Sequence, residues 1–324
     1  MSGSDGHWTF GDRCHLRFPG GGGPVPDLPH AFVTGEGSAT VADDLGNLLF
    51  HTDGTNLYGP PPANAAVNPP DQPLGGTSSS CHAAIIVPPA GGGSLYHVFA
   101  VGDWDPPQHN IGPVRYTGVA VAPALAIAAP TAPLAFGPQR AAEKLAAVSH
   151  EDCCRYWVVS LDLDPSGSGR LFAMLIESDE GPSAAATVSQ PYPFPNPARG
   201  YAVKFSPDGS LIAISSMTGV DILEFDRATG GFAPHSQVVG GLAGRDAIYG
   251  VEFSPNGRHL YLSGHRSGSV WRHDIAAAGS PPARLSAAGR IDRWAGNAKW
   301  SRPFRVGALQ LGPNGRIYGA KYKK

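Results

Sequence analysis

A short pattern that repeats along the chain constrains the fold more than any other feature of the sequence. Residues 201–215 read YAVKFSPDGSLIAIS, residues 249–263 read YGVEFSPNGRHLYLS, and residues 307–320 read GALQLGPNGRIYGA. Each copy has two apolar stretches around a tight turn, in which proline presets φ and glycine takes a positive φ. The repeat therefore predicts antiparallel hairpins. Their turn residues are Pro207, Asp208, Gly209, Pro255, Asn256, Gly257, Pro313, Asn314 and Gly315.

Weaker copies of the same hairpin lie upstream, at residues 39–52, 83–101 and 145–160. The turns recur about every 50 residues, close to the ~40–50-residue period of four-stranded propeller blades. We therefore predict an all-β fold, a β-propeller of six or seven four-stranded blades that forms a single domain over residues 1–324. A propeller hides its strand edges by closing its ring, and residues 7–18 contain a strand-like segment that is available to close it.

The composition fits many short strands joined by turns. The 324 residues include 43 glycines and 32 prolines, and hydrophobic residues still make up 42% of the chain. This apolar share is sufficient for a folded core. Residues 18–28 and 59–80 are unusually rich in glycine, proline or small polar residues, so we predict surface loops there.

Charge and hydropathy exclude several classes of partner. The formal net charge is −2 and charged residues make up 15% of the chain, so we expect no basic surface for nucleic acid. No apolar run approaches the ~18 residues of a membrane-spanning helix, so we expect no membrane insertion. The first residues lack the basic and apolar regions of a Sec-type signal peptide. We therefore expect that the protein stays inside the cell, leaves by another route or is cut from a longer precursor.

The order of the repeated segments resembles that of a known family. EGSATVADDLGNLLFHTDG (36–54), SSSCHAAIIVPPAGGGSLYHVFAV (78–101) and EKLAAVSHEDCCRYWVV (143–159) precede the hairpins GYAVKFSPDG and YGVEFSPNGRHLYLS. This order resembles the propeller-like N-terminal region of large secreted surface proteins of gliding bacteria. Those proteins are exported by the type IX secretion system, and their propellers are similar to WD-repeat and lactonase-like propellers. The resemblance implies an extracellular or cell-surface location and an adhesion role, and it carries over no catalytic residues. The secretory signal and the long C-terminal extension of that family are not seen in this chain.

One column of polar residues is predicted in the innermost strands of the blades. Alignment of the three clear hairpins places Lys204, Glu252 and Gln310 at one position. If the innermost strands line the central channel, these side chains face it and offer a site for a small ligand. The alternative is that they are hydrated or paired with one another.

Metal-binding residue types are present, but not at the usual spacings. Asp162 and Asp164 precede a turn, as in some calcium loops, yet the EF-hand glycine and glutamate are missing. His150 and Cys153 lie in a Cys/His-rich turn that lacks the spacing of zinc sites. We therefore expect no cofactor and no stoichiometric zinc, with calcium as the remaining option.

No catalytic motif stands out in the sequence. It contains no nucleophile elbow, phosphate-binding glycine loop or dinucleotide fingerprint. The leading hypothesis is a non-enzymatic binding or scaffold propeller that presents loops to a protein or glycan partner at a cell or particle surface. The alternatives are a lactonase-like hydrolase with its active site at the channel mouth, and a structural subunit of a larger assembly. Convergent carboxylates or histidines with perturbed pKa values at one mouth would favour the enzyme.

Overall fold

The regular structure of the chain is almost entirely β-strand. The computed structural model describes residues 6–11, 14–27, 33–60, 65–77, 79–90, 93–103, 111–141, 143–152, 154–163, 169–178, 181–192, 202–216, 219–239, 248–264, 269–276, 283–284 and 305–322. Within these segments the only helix is a three-residue 3-10 turn at Pro19–Gly21. None of their helical structure is long and apolar enough to cross a membrane.

The strands are β1 (Gly6–Phe10), β2 (Cys14–Phe18), β3 (Val25–Pro26), β4 (Ala39–Ala42), β5 (Leu48–Thr52), β6 (Leu57–Tyr58), β7 (Ala84–Val87), β8 (Leu95–Ala100), β9 (Arg115–Ala120), β10 (Ala126–Pro133), β11 (Leu145–Ser149), β12 (Tyr156–Leu163), β13 (Gly169–Ser178), β14 (Gly181–Pro182), β15 (Val188–Tyr192), β16 (Val203–Phe205), β17 (Leu211–Ser215), β18 (Gly219–Phe225), β19 (Phe232–Val239), β20 (Ile248–Phe253), β21 (His259–Gly264), β22 (Val270–Asp274), β23 (Ala283–Arg284), β24 (Arg305–Leu311) and β25 (Ile317–Tyr322).

The strands form a series of small antiparallel sheets. Their orders are β1-β2-β3, β4-β5-β6, β7-β8-β9-β10, β11-β12-β13 with β14 and β15 both on β13, β16-β17-β18-β19, β20-β21-β22-β23, and β24-β25. Apart from β15, which pairs with β13, consecutive strands within each sheet lie side by side, which is the meander arrangement of a propeller blade. None of the sheets formed by the described residues closes into a barrel. The predicted all-β class is confirmed, whereas the number of blades and closure by the N-terminal strand stay predictions.

The repeated segments form hairpins that turn at their glycines. β16 pairs with β17, β20 with β21, and β24 with β25. Gly209, Gly257 and Gly315 have φ of 75°, 68° and 72°, the left-handed region that favours glycine. Each of these glycines donates its N–H to the carbonyl oxygen three residues earlier. The weaker upstream copies also form hairpins, β4-β5, β7-β8 and β11-β12.

The chain divides into two compact units. One comprises Met1–Arg199 with Phe225–Phe232, and the other Gly200–Glu224 with Ala233–Lys324. The cores of the first unit lie between successive sheets, and one of them joins apolar residues of β5 and β6 to those of β7, β8 and β9. The core of the second unit includes apolar residues of β17, β18, β20, β21 and β22. The single domain over residues 1–324 stays a prediction.

One of the two predicted surface loops is anchored in the core. Within residues 59–80, Leu74 is fully buried, and Asn68 Oδ1 accepts the backbone N–H of Leu57 at 2.7 Å. The buried Leu74 joins the core around β5 and β7, so this segment contributes to the fold although its composition is typical of loops. In residues 18–28, Phe18 at the end of β2 is fully buried, whereas β3 is exposed.

Candidate functional site

Charged and thiol side chains gather where three hairpins begin. Glu36 precedes β4, Cys81 precedes β7, and Glu143 and Lys144 precede β11, while Asp103 follows β8, the partner of β7. We call these five residues the strand-start cluster. β4 contacts β7 and β7 contacts β11, so the first strands of three successive sheets are neighbours. Their polar residues therefore lie at one edge of the first unit.

Backbone contacts fix the strand starts against one another. The N–H of Gly37 donates to Ser80 O at 2.9 Å, and the N–H of Glu143 donates to Gly102 O at 3.0 Å. A Cβ atom at Gly37 would lie 2.4 Å from both Ser80 O and Ala83 N. Only glycine allows this approach, and the neighbouring Glu36 is consequently held beside the start of β7.

The cluster has an exposed rim. The Glu36 side chain is exposed, and the half-buried Cys81 thiol donates to Glu36 Oε2 at 3.0 Å. Asp103 lies deeper, with 4% of its surface exposed, and accepts hydrogen bonds from the Thr77 hydroxyl at 2.9 Å and from the Ser79 hydroxyl. A carboxylate satisfied by two hydroxyls is fixed in place, whereas the Glu36 carboxylate faces solvent.

Lys144 is the most unusual member of the cluster. Only 1% of its surface is exposed, and burial lowers the pKa of its amine to about 8. The nearby Glu143 and Cys81 act in the opposite direction and favour the ammonium form. Glu143 itself is buried and has φ of 60°, which is uncommon for a residue with a side chain. A strained backbone and a buried lysine at one edge are typical of a functional site.

The column predicted from the hairpin alignment is also brought together, in the second unit. Lys204 Nζ donates to Gln310 Oε1 at 2.5 Å and lies 3.4 Å from Glu252 Oε2. Glu252 is buried, and its Oε2 also accepts the N–H of Leu311 at 2.9 Å. The three side chains are therefore paired with one another, which is one of the two arrangements considered from the sequence. Their position in a channel stays a prediction.

The residues predicted as weak metal ligands have structural partners. His150 Nε2 hydrogen-bonds to Ala228 O at 3.1 Å, and Asp162 Oδ1 accepts the backbone N–H of Arg140 at 2.8 Å. Asp164 and Cys153 lie outside the described residues. Calcium binding at Asp162 stays a prediction.

The strand-start cluster was missed in the sequence, although a signal was present. Charged or thiol residues stand just before three apolar strands, in EGSATVA, CHAAIIV and EKLAAV. The repeat identifies these strands as the first of their hairpins. The predicted propeller makes these strands neighbours, but the charged and thiol residues lie just outside the repeated segments, where the alignment does not compare them.

No protein-family model and no curated protein matches the chain. Solved structures do match. One is a protein of Bacteroides uniformis with the provisional name 6-phosphogluconolactonase, at 13% identity and TM-score 0.56, covering 95% of this chain and 84% of that one. Another is the β-propeller domain of Cps50 (Swd1) from Myceliophteria thermophila, at 10% identity and TM-score 0.55, covering 100% and 98%. A protein of unknown function from Desulfotomaculum acetoxidans matches at 12% identity and TM-score 0.53, covering 88% and 82%.

At these identities the likeness concerns the fold alone. The matching structures include both lactonase-like and WD40-type propellers, which differ in function. They do not bear on type IX secretion, adhesion or surface location, which stay predictions. The chain is an all-β protein whose structural neighbours are β-propellers.

Proposed function

We propose that the protein is a recognition propeller, which binds a protein or glycan partner through the rim of the strand-start cluster. The observation that carries this proposal is the division of the cluster into an exposed carboxylate and buried charges. Glu36 faces solvent, whereas Asp103, Glu143 and Lys144 are at most 5% exposed. A partner that docks on this edge touches Glu36 and its surroundings, and the buried groups hold that surface in shape.

A rim held in this way has little conformational freedom to lose on binding. The Glu36 carboxylate is oriented by the Cys81 thiol, and the adjacent backbone is fixed by the Gly37–Ser80 hydrogen bond. Preorganisation of this kind lowers the entropic cost of association. A fixed carboxylate accepts hydrogen bonds from sugar hydroxyls or from Lys and Arg side chains. Display at a cell or particle surface is supported by the family resemblance.

The test compares two exposed glutamates. The full chain is immobilised, and its binding to a panel of purified glycans and of surface proteins from the native host is measured by interferometry. Glu36→Gln should weaken binding of the best ligand by about tenfold or more, the range of a lost charged hydrogen bond. Glu177→Gln is the matched control, because Glu177 is also exposed and paired with Arg155 at 3.4 Å. Equal binding by both variants would show that the partner does not bind at the strand-start cluster.

A second candidate function is a lactonase-like hydrolase, which the lowered pKa of Lys144 favours. An amine with a pKa of about 8 exchanges protons near neutral pH, as a general base must. The nearby carboxyl of Glu143 is another group that could take part in proton transfer. Burial of Lys144 counts against this role, since a substrate could reach the amine only if the residues packed around it moved aside. Lactone hydrolysis that rises with pH through about 8 and is lost in Lys144→Met would establish the enzyme and overturn the binding proposal.

A further inference from the structure

We propose that His7, His15 and Asp27 form a binding site for a divalent transition-metal ion such as Zn²⁺. The site lies on the N-terminal sheet β1-β2-β3 and is separate from the strand-start cluster. One donor atom from each of the three residues lies within 4.8 Å of the donors of the other two. The three residues lie in different segments of the sheet, so no spacing within a single segment reveals this cluster.

Strand register puts the three side chains on one side of the sheet. In the β1-β2 pair, His7 lies opposite Arg17 and Thr9 lies opposite His15. His7 and His15 are therefore diagonal neighbours on the same face, because side chains alternate along a strand. On the other edge of β2, Asp27 N–H donates to His15 O at 3.0 Å. Each donor thus comes from, or directly follows, a paired strand.

The two imidazole rings face each other through nitrogen atoms. His7 Nδ1 lies 2.7 Å from His15 Nε2. The other nitrogen of His7, Nε2, lies 2.8 Å from the carbonyl oxygen of Gly46. A carbonyl only accepts, so His7 Nε2 carries the proton and the neutral ring presents a lone pair at Nδ1. This arrangement is the usual support of a metal-bound histidine, whose second nitrogen donates to a carbonyl or carboxylate.

Charge and burial suit a metal ion as well. The His15 side chain is 2% exposed, and Asp27 Oδ2 lies 4.0 Å from His15 Nδ1 and 4.0 Å from Arg17 Nε. Two imidazoles and one carboxylate are a common ligand set for Zn²⁺, and they offset one of its two charges. The half-buried Asp27 leaves an entry path from solvent. Without an ion, one ring donates a hydrogen bond to the other across this 2.7 Å contact, and a bound metal ion would take the place of that hydrogen.

The experiment measures metal binding by the full chain. Protein freed of metal with a chelator is titrated with Zn²⁺ in competition with a chromophoric indicator, and with Co²⁺ as a spectroscopic probe. Wild type should bind one Zn²⁺ per chain, and Co²⁺ should give visible absorption bands of nitrogen and oxygen ligation. His7→Gln and Asp27→Asn should each weaken Zn²⁺ binding by about tenfold or more.

A histidine elsewhere is the matched control. His235, which lies 3.5 Å from Glu224 and is partly exposed, also forms a His–carboxylate pair, and His235→Gln should bind Zn²⁺ as wild type does. Thermal melts in chelator verify that the variants fold. If His7→Gln fails to fold, Asp27→Asn carries the test, because Asp27 lies outside the strands. The proposal is overturned if wild type binds no Zn²⁺ at micromolar concentration, or if the folded variants bind it as tightly as wild type.

Discussion

At Gly257 the backbone alone decides which residues are tolerated. The residue has φ of 68°, and a Cβ atom there would meet no other atom within 4 Å. Gly257→Val should lower the free energy of unfolding by about 1–3 kcal/mol, because β-branched residues are strained at positive φ. Asparagine tolerates this region better, so Gly257→Asn should cost clearly less. Urea unfolding of the two variants measures the loss of stability. Equal losses in both variants would show that the positive φ is not the cause.

Lys144 gives the protein a pH dependence of known sign. Burial lowers the pKa of its amine from 10.5 in the unfolded chain to about 8. Between these values the unfolded state holds a proton that the folded state has released, so the free energy of unfolding rises with pH. Below about pH 8 both states are protonated and the contribution is constant.

We therefore expect wild type to gain about 2 kcal/mol of stability relative to Lys144→Met between about pH 8 and pH 10. Replacing the buried side chain also changes its packing, which shifts the stability of the variant by the same amount at both pH values. The difference in slope is therefore the diagnostic quantity. Urea unfolding across this range measures it, and parallel slopes would show that the amine of the folded protein keeps an ordinary pKa.

The hairpins and one column of contacts between them could be predicted from sequence, whereas the strand-start cluster could not. The turn at Pro207–Gly209 is encoded locally by residues with defined φ preferences, and β16 and β17 pair around it. The contact of Glu36 with Cys81 depends instead on β4 lying beside β7. Lys204, Glu252 and Gln310 also meet across three sheets, but they occupy one aligned position of the repeat, whereas Glu36 and Cys81 lie before the repeated segments. The His7–His15 pair lies within one sheet and depends on the register of β1 and β2, which the sequence does not specify.

The segment over residues 59–80 contributes to the core through Leu74, and this contribution can be measured. Its composition predicts a loop, but Leu74 is fully buried in a core of the first unit. Leu74→Ala should therefore lower the free energy of unfolding by about 2–4 kcal/mol, since it leaves a cavity among apolar side chains. Leu45, which is 85% exposed, is the matched control, and Leu45→Ala should change stability by less than about 0.5 kcal/mol. Similarly small changes in the free energy of unfolding at both positions would show that Leu74 does not contribute to the core, and the segment would be a surface loop as predicted.

For the whole molecule, the fold leaves function open. Structures similar to this chain include lactonase-like and WD40-type propellers, and propellers host many unrelated functions. The distinguishing information is therefore in the side chains of the strand-start cluster. Its exposed rim supports recognition, whereas the lowered pKa of its buried amine favours catalysis.

The path of the chain between the two units bears on the number of domains. The chain enters the second unit at Gly200, returns to the first for Phe225–Phe232 and then leaves again at Ala233. With three crossings, neither unit is a continuous piece of chain that could be cut free. The repeat predicts one propeller, and a single domain unfolds in one cooperative transition.

We therefore expect one transition in urea, seen equally by tryptophan fluorescence and by circular dichroism. Leu74→Ala reports on the first unit and Gly257→Val on the second, and each should shift that same transition to lower urea concentration without changing its slope. A double variant should show the sum of the two shifts, because independent sites in one cooperative domain add. Two transitions, with each variant moving only one of them, would replace the single propeller domain by two separately folding units.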